Sequence, residues 1–90
     1  MKLFIDTTQI RSSTVTMGRF NKTSQSLVPL IEEAVQANNI KFSDITEIMV
    51  APGPGSYTGL RVGAAVANAL GFLLNIPVNG KKTLVTPVYS

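Results

Sequence analysis

Apolar residues in this chain come as short bursts near the start, one helical repeat in the middle and a small-residue run toward the end. Leu3-Phe4-Ile5 is a compact apolar run beginning almost at the first residue. Such a run suits a central strand buried on both faces. Asp6-Thr7-Thr8 ends it with side chains that form turns and cap backbone groups. From Ser12 to Phe20 β-formers dominate, and Val15 and Met17 alternate with Thr14 and Thr16. That alternation predicts a second strand with one covered face, paired antiparallel with the first through a loop at Thr8 to Arg11.

Asn21-Lys22-Thr23-Ser24 reads as a helix start. Leu27, Ile31, Ala34, Val35 and Asn38 then share one helical face with Leu30 beside it, while Glu32, Glu33 and Gln36 point away. Pro29 falls about a turn inside, where a first turn tolerates it, and Asn38-Asn39 closes the helix. After the short connection Ile40 to Asp44, the residues Ile45, Ile48 and Val50 belong to the next strand. A second helix is predicted from about Tyr57 to Leu74, stopped at Asn75-Ile76-Pro77 because proline disfavours helix in the residue before it. Pro77-Val78-Asn79-Gly80 predicts a short edge strand, and Thr83 is placed to cap a last helix near Leu84. The order β-β-α-β-α-β implies an α/β domain, a small mixed sheet with two main helices packed on it.

Composition narrows the chemistry. Residues 1–90 make one domain with a modest core. The hydrophobic fraction is 44% and the charged fraction 14%, which excludes a disordered tail and suggests that a partner covers some apolar surface. There is no cysteine for a disulfide and no histidine for a general base or a zinc site, so a His-Glu-x-x-His hydrolase is excluded. The net charge is +3; the five acids all lie at or before Glu47, with Arg61, Lys81 and Lys82 beyond. These basic residues are few and form no stripe, so they lend only weak support to a nucleic-acid contact. The apolar stretch at the N-terminus is too short for a signal peptide. Val62 to Leu74 falls short of the roughly 18 residues a bilayer requires. A cytoplasmic protein with no membrane contact is expected.

The chemistry-bearing stretch is the joint between the third strand and second helix, where Gly53, Pro54, Gly55, Ser56, Tyr57 and Thr58 precede Gly59. A glycine-rich loop feeding a helix N-terminus suits phosphate binding. Yet the P-loop lysine is missing, and Gly53, Gly55 and Gly59 have the wrong spacing for a dinucleotide loop. A plain structural turn is a second reading. A third rests on Gly59, Gly63, Ala67 and Gly71, which recur every four residues and make a smooth stripe that another helix can approach closely. Leu60, Val66, Leu70, Leu73 and Leu74 form a second apolar face, which leaves the stripe to be read as packing on its own sheet or as a partner interface. Arg61 is either a solvated helix residue or a contact to a partner or to a nucleic-acid phosphate. Ser56 and Thr58 read as helix caps, since no base is present to activate them.

The run from Gly53 to Gly63, Gly-Pro-Gly-Ser-Tyr-Thr-Gly-Leu-Arg-Val-Gly, resembles the Gly-Pro-Gly-Ser-Phe-Thr-Gly-Leu-Arg-Ile-Gly signature of the bacterial TsaB (YeaZ) family. Leu3 to Thr8, Leu27 to Ile31 and Ile76-Pro77-Val78 are similar to that family's opening strand, first helix start and the strand after the glycine-led helix. The resemblance implies an actin-like (ASKHA, ribonuclease H-like) subdomain, covering the family's N-terminal half with the C-terminal subdomain absent. It also implies a non-catalytic scaffold or dimerisation subunit that works with a TsaD-like enzyme, and indirectly a TsaE-like ATPase, in installing threonylcarbamoyladenosine on tRNA. Partner contact would run through Gly59, Gly63, Ala67, Gly71 and Arg61 on the helices, with the enzyme or with a second copy. No catalytic, cofactor or metal residue is implied, and the missing histidines argue against the peptidase activity of the older M22 glycoprotease label. The chain departs from the family at Thr23, where a histidine is usual, and between Asp6 and Thr23, where shortness suggests that the family's third strand is curtailed or missing. An alternative is a degenerate nucleotide-binding or ribonuclease H-like domain, with Asp6 as a metal-binding acid rather than a turn cap.

Overall fold

The structure, a computed structural model, describes residues 1–81; the helix expected near Thr83 and Leu84 lies outside the described residues. Strands β1 (Lys2–Asp6), β2 (Ser13–Met17) and β3 (Phe20–Ser24) come first, then helix α1 (Leu27–Ala37), a 3-10 turn (Phe42–Asp44), strand β4 (Glu47–Val50) and helix α2 (Tyr57–Leu74). The sheet order is β3-β2-β1-β4, with β1 antiparallel to β2 and parallel to β4. Val78 adds a single parallel bridge to Ile48 where the edge strand was expected.

The third strand is present, which corrects two expectations. The β-rich stretch Ser12 to Phe20 is not one strand: it turns back at Gly18-Arg19, with Met17 opposite Phe20. Gly18 takes a φ of +58°, the region a tight hairpin needs at its first central position and one that glycine reaches without strain. Asn21 to Ser24 is therefore strand, not helix start. Its polar side chains are used across the hairpin. The Asn21 amide donates to Thr16 Oγ1 at 2.8 Å, and the Thr14 and Thr23 hydroxyls lie 2.8 Å apart. Helix α1 begins only after Ser26, which puts Pro29 third in the helix, where no intrahelical N–H bond is lost. At the other end the Asn38 amide donates to Met17 O and Ala34 O, both at 2.8 Å, and ties the helix to β2.

Both helices lie on one face of the sheet. Leu3 and Ile5 of β1, Val15 and Met17 of β2, and Ile48 and Val50 of β4 meet Leu27, Leu30, Ile31, Ala34 and Val35 of α1 and Ala67 of α2 in one buried cluster. The first strand is thus central in order but covered on one face only. Phe4 is 45% exposed on the other face. Helix α2 ends as expected: Asn75 enters the left-handed region (φ +54°) and its N–H closes on Gly71 O and Phe72 O. With 18 residues and a mean hydropathy of 1.2, α2 is by length and composition alone long enough to cross a membrane; 28% of it is buried, so its own sheet leaves much apolar surface uncovered.

Two substitutions on α1 separate core from surface. Leu30, 1% exposed, should lose about 2–5 kcal/mol of unfolding free energy as Leu30→Ala. Glu33 meets Lys22 at 3.1 Å with both side chains about half exposed, so Glu33→Gln should cost less than about 1 kcal/mol. Urea unfolding of the two variants checks the contrast.

Candidate functional site

The joint after β4 is held by the end of β1. Ser56 N–H donates to Thr8 O at 2.9 Å, and a Cβ on Gly55 would come within 2.7 Å of Thr8. Gly53 has a φ of +107°, and the Gly53–Pro54 bond is cis. Ser56 is the N-cap of α2, its hydroxyl accepting from Gly59 N at 3.4 Å, while Tyr57 and Thr58 are exposed on the first turn. Asp6 accepts from Thr8 N at 2.9 Å and Thr8 Oγ1 at 2.6 Å, so its carboxylate caps the turn that carries Thr7 and Thr8.

The small-residue stripe turns inward. A Cβ on Gly59 would clash with Thr7 O, and one on Gly63 with Thr7 Oγ1. Ala67 is fully buried in the core, and a Cβ on Gly71 would strike Val78 Cγ2. Both faces read from the sequence seat α2 on its own chain: beside the stripe, Leu60 is 1% exposed and Val66, Leu70 and Leu74 pack against the core, while Leu73 stays exposed. Four of the proposed interface residues are thereby occupied internally, and Arg61 alone stays on the surface. Its guanidinium lies 5.5 Å from the Tyr57 ring centroid and donates to the Tyr57 hydroxyl at 3.3 Å.

The free face of α2 was missed. Thr58, Arg61, Val62, Ala65, Ala69, Phe72 and Leu73 are all exposed, at spacings of three and four that put them on one side of the helix. Phe72 is 84% and Leu73 75% exposed. This face carries one charge. Beside it, an apolar groove of about 260 Å³ runs between α1 and α2, lined by Val28, Ile31, Glu32, Phe42, Val66 and Leu70. The signal was in the sequence: Ala65 and Ala69 continue the three-and-four spacing from Val62 to Phe72.

A second groove, about 380 Å³, opens at the head of α2 between the β1–β2 loop and Ser56, Thr58 and Gly59. Thr7 is 1% exposed and its hydroxyl has no hydrogen-bond partner among the described residues; that hydroxyl is packed against Gly63. The acids are not brought together. Glu32 and Glu33 lie on α1, whereas Asp6 borders the groove on the open face of the sheet with Phe4, Thr14 and Thr16. Among the described residues no three His, Cys, Asp or Glu side chains form a group that could hold a metal ion.

The model of the TsaD family, described as tRNA N6-adenosine threonylcarbamoyltransferase, matches residues 21–90. The chain belongs to this family. Its similar relatives include TsaB proteins, named for tRNA threonylcarbamoyladenosine biosynthesis: 36% identity over 66% of the chain and 26% of the Bacillus subtilis protein, and 30% over 70% of the chain and 27% of the Escherichia coli protein. The tRNA N6-adenosine threonylcarbamoyltransferase of Clostridioides difficile is 45% identical over 57% of the chain and 15% of its own length. The chain thus spans about a quarter of the length of its TsaB relatives. Among solved structures, YeaZ from Pseudomonas aeruginosa aligns with a TM-score of 0.70 at 24% identity, over 86% of this chain and 42% of that one. The TsaB (YeaZ) resemblance and the actin-like fold read from the sequence both hold.

The Thr7–Gly63 contact makes a prediction within this TsaD-family fold. Gly63→Ala gains about 1 kcal/mol of helix propensity but forces Thr7 aside, for an expected net loss of about 1–2 kcal/mol. Thr7→Ala removes the atoms in the way, so the double variant should lose less than the sum of the singles in a denaturation cycle.

Proposed function

We infer that this chain acts as a non-catalytic scaffold in tRNA threonylcarbamoyladenosine biosynthesis, pairing with a TsaD-like enzyme or with a second copy through the outer side of its two helices. The observation that carries this reading is the free face of α2. Val62, Ala65, Ala69, Phe72 and Leu73 are exposed together, and the apolar groove along α1 continues the same surface. Exposed contiguous apolar surface of this kind marks interaction sites in soluble domains. The small side chains at Ala65 and Ala69 allow another helix close, with Phe72 and Leu73 as large anchors beside them.

The names of the TsaB relatives supply the pathway, and the fold supplies no competing chemistry. The chain has no histidine to activate Ser56 or Thr58, and Asp6 is engaged by Thr8. In this reading a TsaE-like ATPase joins through the TsaD-like enzyme rather than through this surface, and the work is done in the cytoplasm. Arg61, on the same face and stacked near Tyr57, supplies the polar contact at the interface rim.

Calorimetric titration against a TsaD-like enzyme tests the reading. Val62→Asp and Phe72→Asp put a charge on the face without touching the core. Each should weaken binding by about tenfold or more, equivalent to about 1.4 kcal/mol, at an unchanged melting temperature. Sedimentation of the chain alone distinguishes self-pairing. Undiminished affinity for enzyme and for self in both variants would remove this face from the interface.

A further inference from the structure

The turn after α2 holds a side chain whose bonding exceeds what a loop asparagine needs. Asn79 and Gly80 form the two-residue reversal between Val78 and Lys81, which exchange both backbone hydrogen bonds at 2.8 and 3.0 Å. Both turn residues have positive φ, +52° and +78°, the combination that favours Asn-Gly in such reversals. Asn79 also continues the sheet. Its backbone N–H donates to Ile48 O at 2.8 Å. Its carboxamide then pairs with the backbone of Val50 as a strand residue would: Val50 N–H donates to Asn79 Oδ1 at 2.8 Å, and Asn79 Nδ2 donates to Val50 O at 2.9 Å. The carboxamide is a clip that fastens the reversal to the edge of β4.

We propose that Asn79 is a site of spontaneous deamidation, and that this clip gates it. An asparagine followed by glycine is open to attack by the glycine amide nitrogen, because no side chain shields that nitrogen. In the reaction, Gly80 N bonds to Asn79 Cγ, the Cγ–Nδ2 bond breaks, and the proton from Gly80 N leaves with Nδ2 as ammonia. Water then opens the five-membered imide at either carbonyl, giving aspartate or isoaspartate. While the clip is closed, Oδ1 and Nδ2 are both held on Val50 and Cγ cannot swing onto Gly80 N. Reaction requires a local opening that gives up both hydrogen bonds.

The product cannot refasten. In an aspartate at position 79 one oxygen still accepts from Val50 N–H, but the other replaces a donor and faces Val50 O, acceptor against acceptor. Isoaspartate adds a backbone atom and spoils the two-residue turn. Either product frees Val78, which is 3% exposed and fills the space beside Gly71. Deamidation therefore loosens the seat of α2 irreversibly.

Ageing the intact chain in mildly alkaline buffer, with peptide mass spectrometry of the conversion at residue 79, tests the gate. A short peptide from Pro77 to Lys81 is the ungated reference. The folded chain should convert more slowly by a factor on the order of ten or more, the effect of two hydrogen bonds that must open, and denaturant should remove the difference. Asn79→Asp, which mimics the product, should melt below the wild type. Equal rates in chain and peptide would overturn the gate, and an Asn79→Asp chain as stable as the wild type would overturn the clip.

Discussion

The arrangement depends on how closely the end of β1 approaches α2. Thr7 O and Oγ1 occupy the space where side chains on Gly59 and Gly63 would stand, and Thr8 does the same at Gly55. Only a helix edge without Cβ atoms can come this near a strand end. That contact fixes where α2 lies, and through it which side of α2 faces outward. Asp6 holds the Thr7–Thr8 turn by accepting two hydrogen bonds from Thr8, so its carboxylate serves the joint. The Gly-Pro-Gly-Ser run is accordingly a bracket whose shape is set by its neighbour strand.

How much of this is legible in the sequence depends on what each pattern encodes. Helical periodicity is strong in α1 and α2, and both helices, with the caps at Asn38 and Asn75, follow from it. The missed strand is β3. Asn21 to Ser24 carries no apolar alternation because it is an edge strand, stabilised through Thr14, Thr16 and the turn at Gly18 rather than by burial. Leu3-Phe4-Ile5 misleads in the opposite way. Three apolar residues in a row imply two covered faces, yet Phe4 stays 45% exposed on the open face of the sheet.

The glycine stripe shows a deeper limit. Small residues at every fourth position announce a close approach, but sequence spacing does not say what approaches. Within this chain the answer is its own β1 and Val78. Leu60, Ala64, Val66, Leu70 and Leu74 also turn toward the core, and outside the stripe the other apolar residues of α2 are not buried among the described residues. Val62, Ala65, Ala69, Phe72 and Leu73 are exposed on a helix that has already found its sheet. The exposed surface and the packing surface are both present in the pattern, and only the geometry of the joint tells which is which.

The two edges of the sheet are managed by different means, and this bears on how the domain stays monomeric or chooses a partner. An unpaired strand edge invites another strand. At β3 the edge is short and polar, with Lys22 drawn back over the helix side to Glu33. At β4 the Ile48 N–H donates to Pro77 O, Ile48 O accepts from the Asn79 N–H, and the Asn79 carboxamide pairs with the Val50 backbone, a side chain doing the work of a strand. A short, polar β3 edge and a clipped β4 edge both disfavour strand addition. The apolar side of the helices is the surface these two edges leave exposed, which is why the proposed association is placed there.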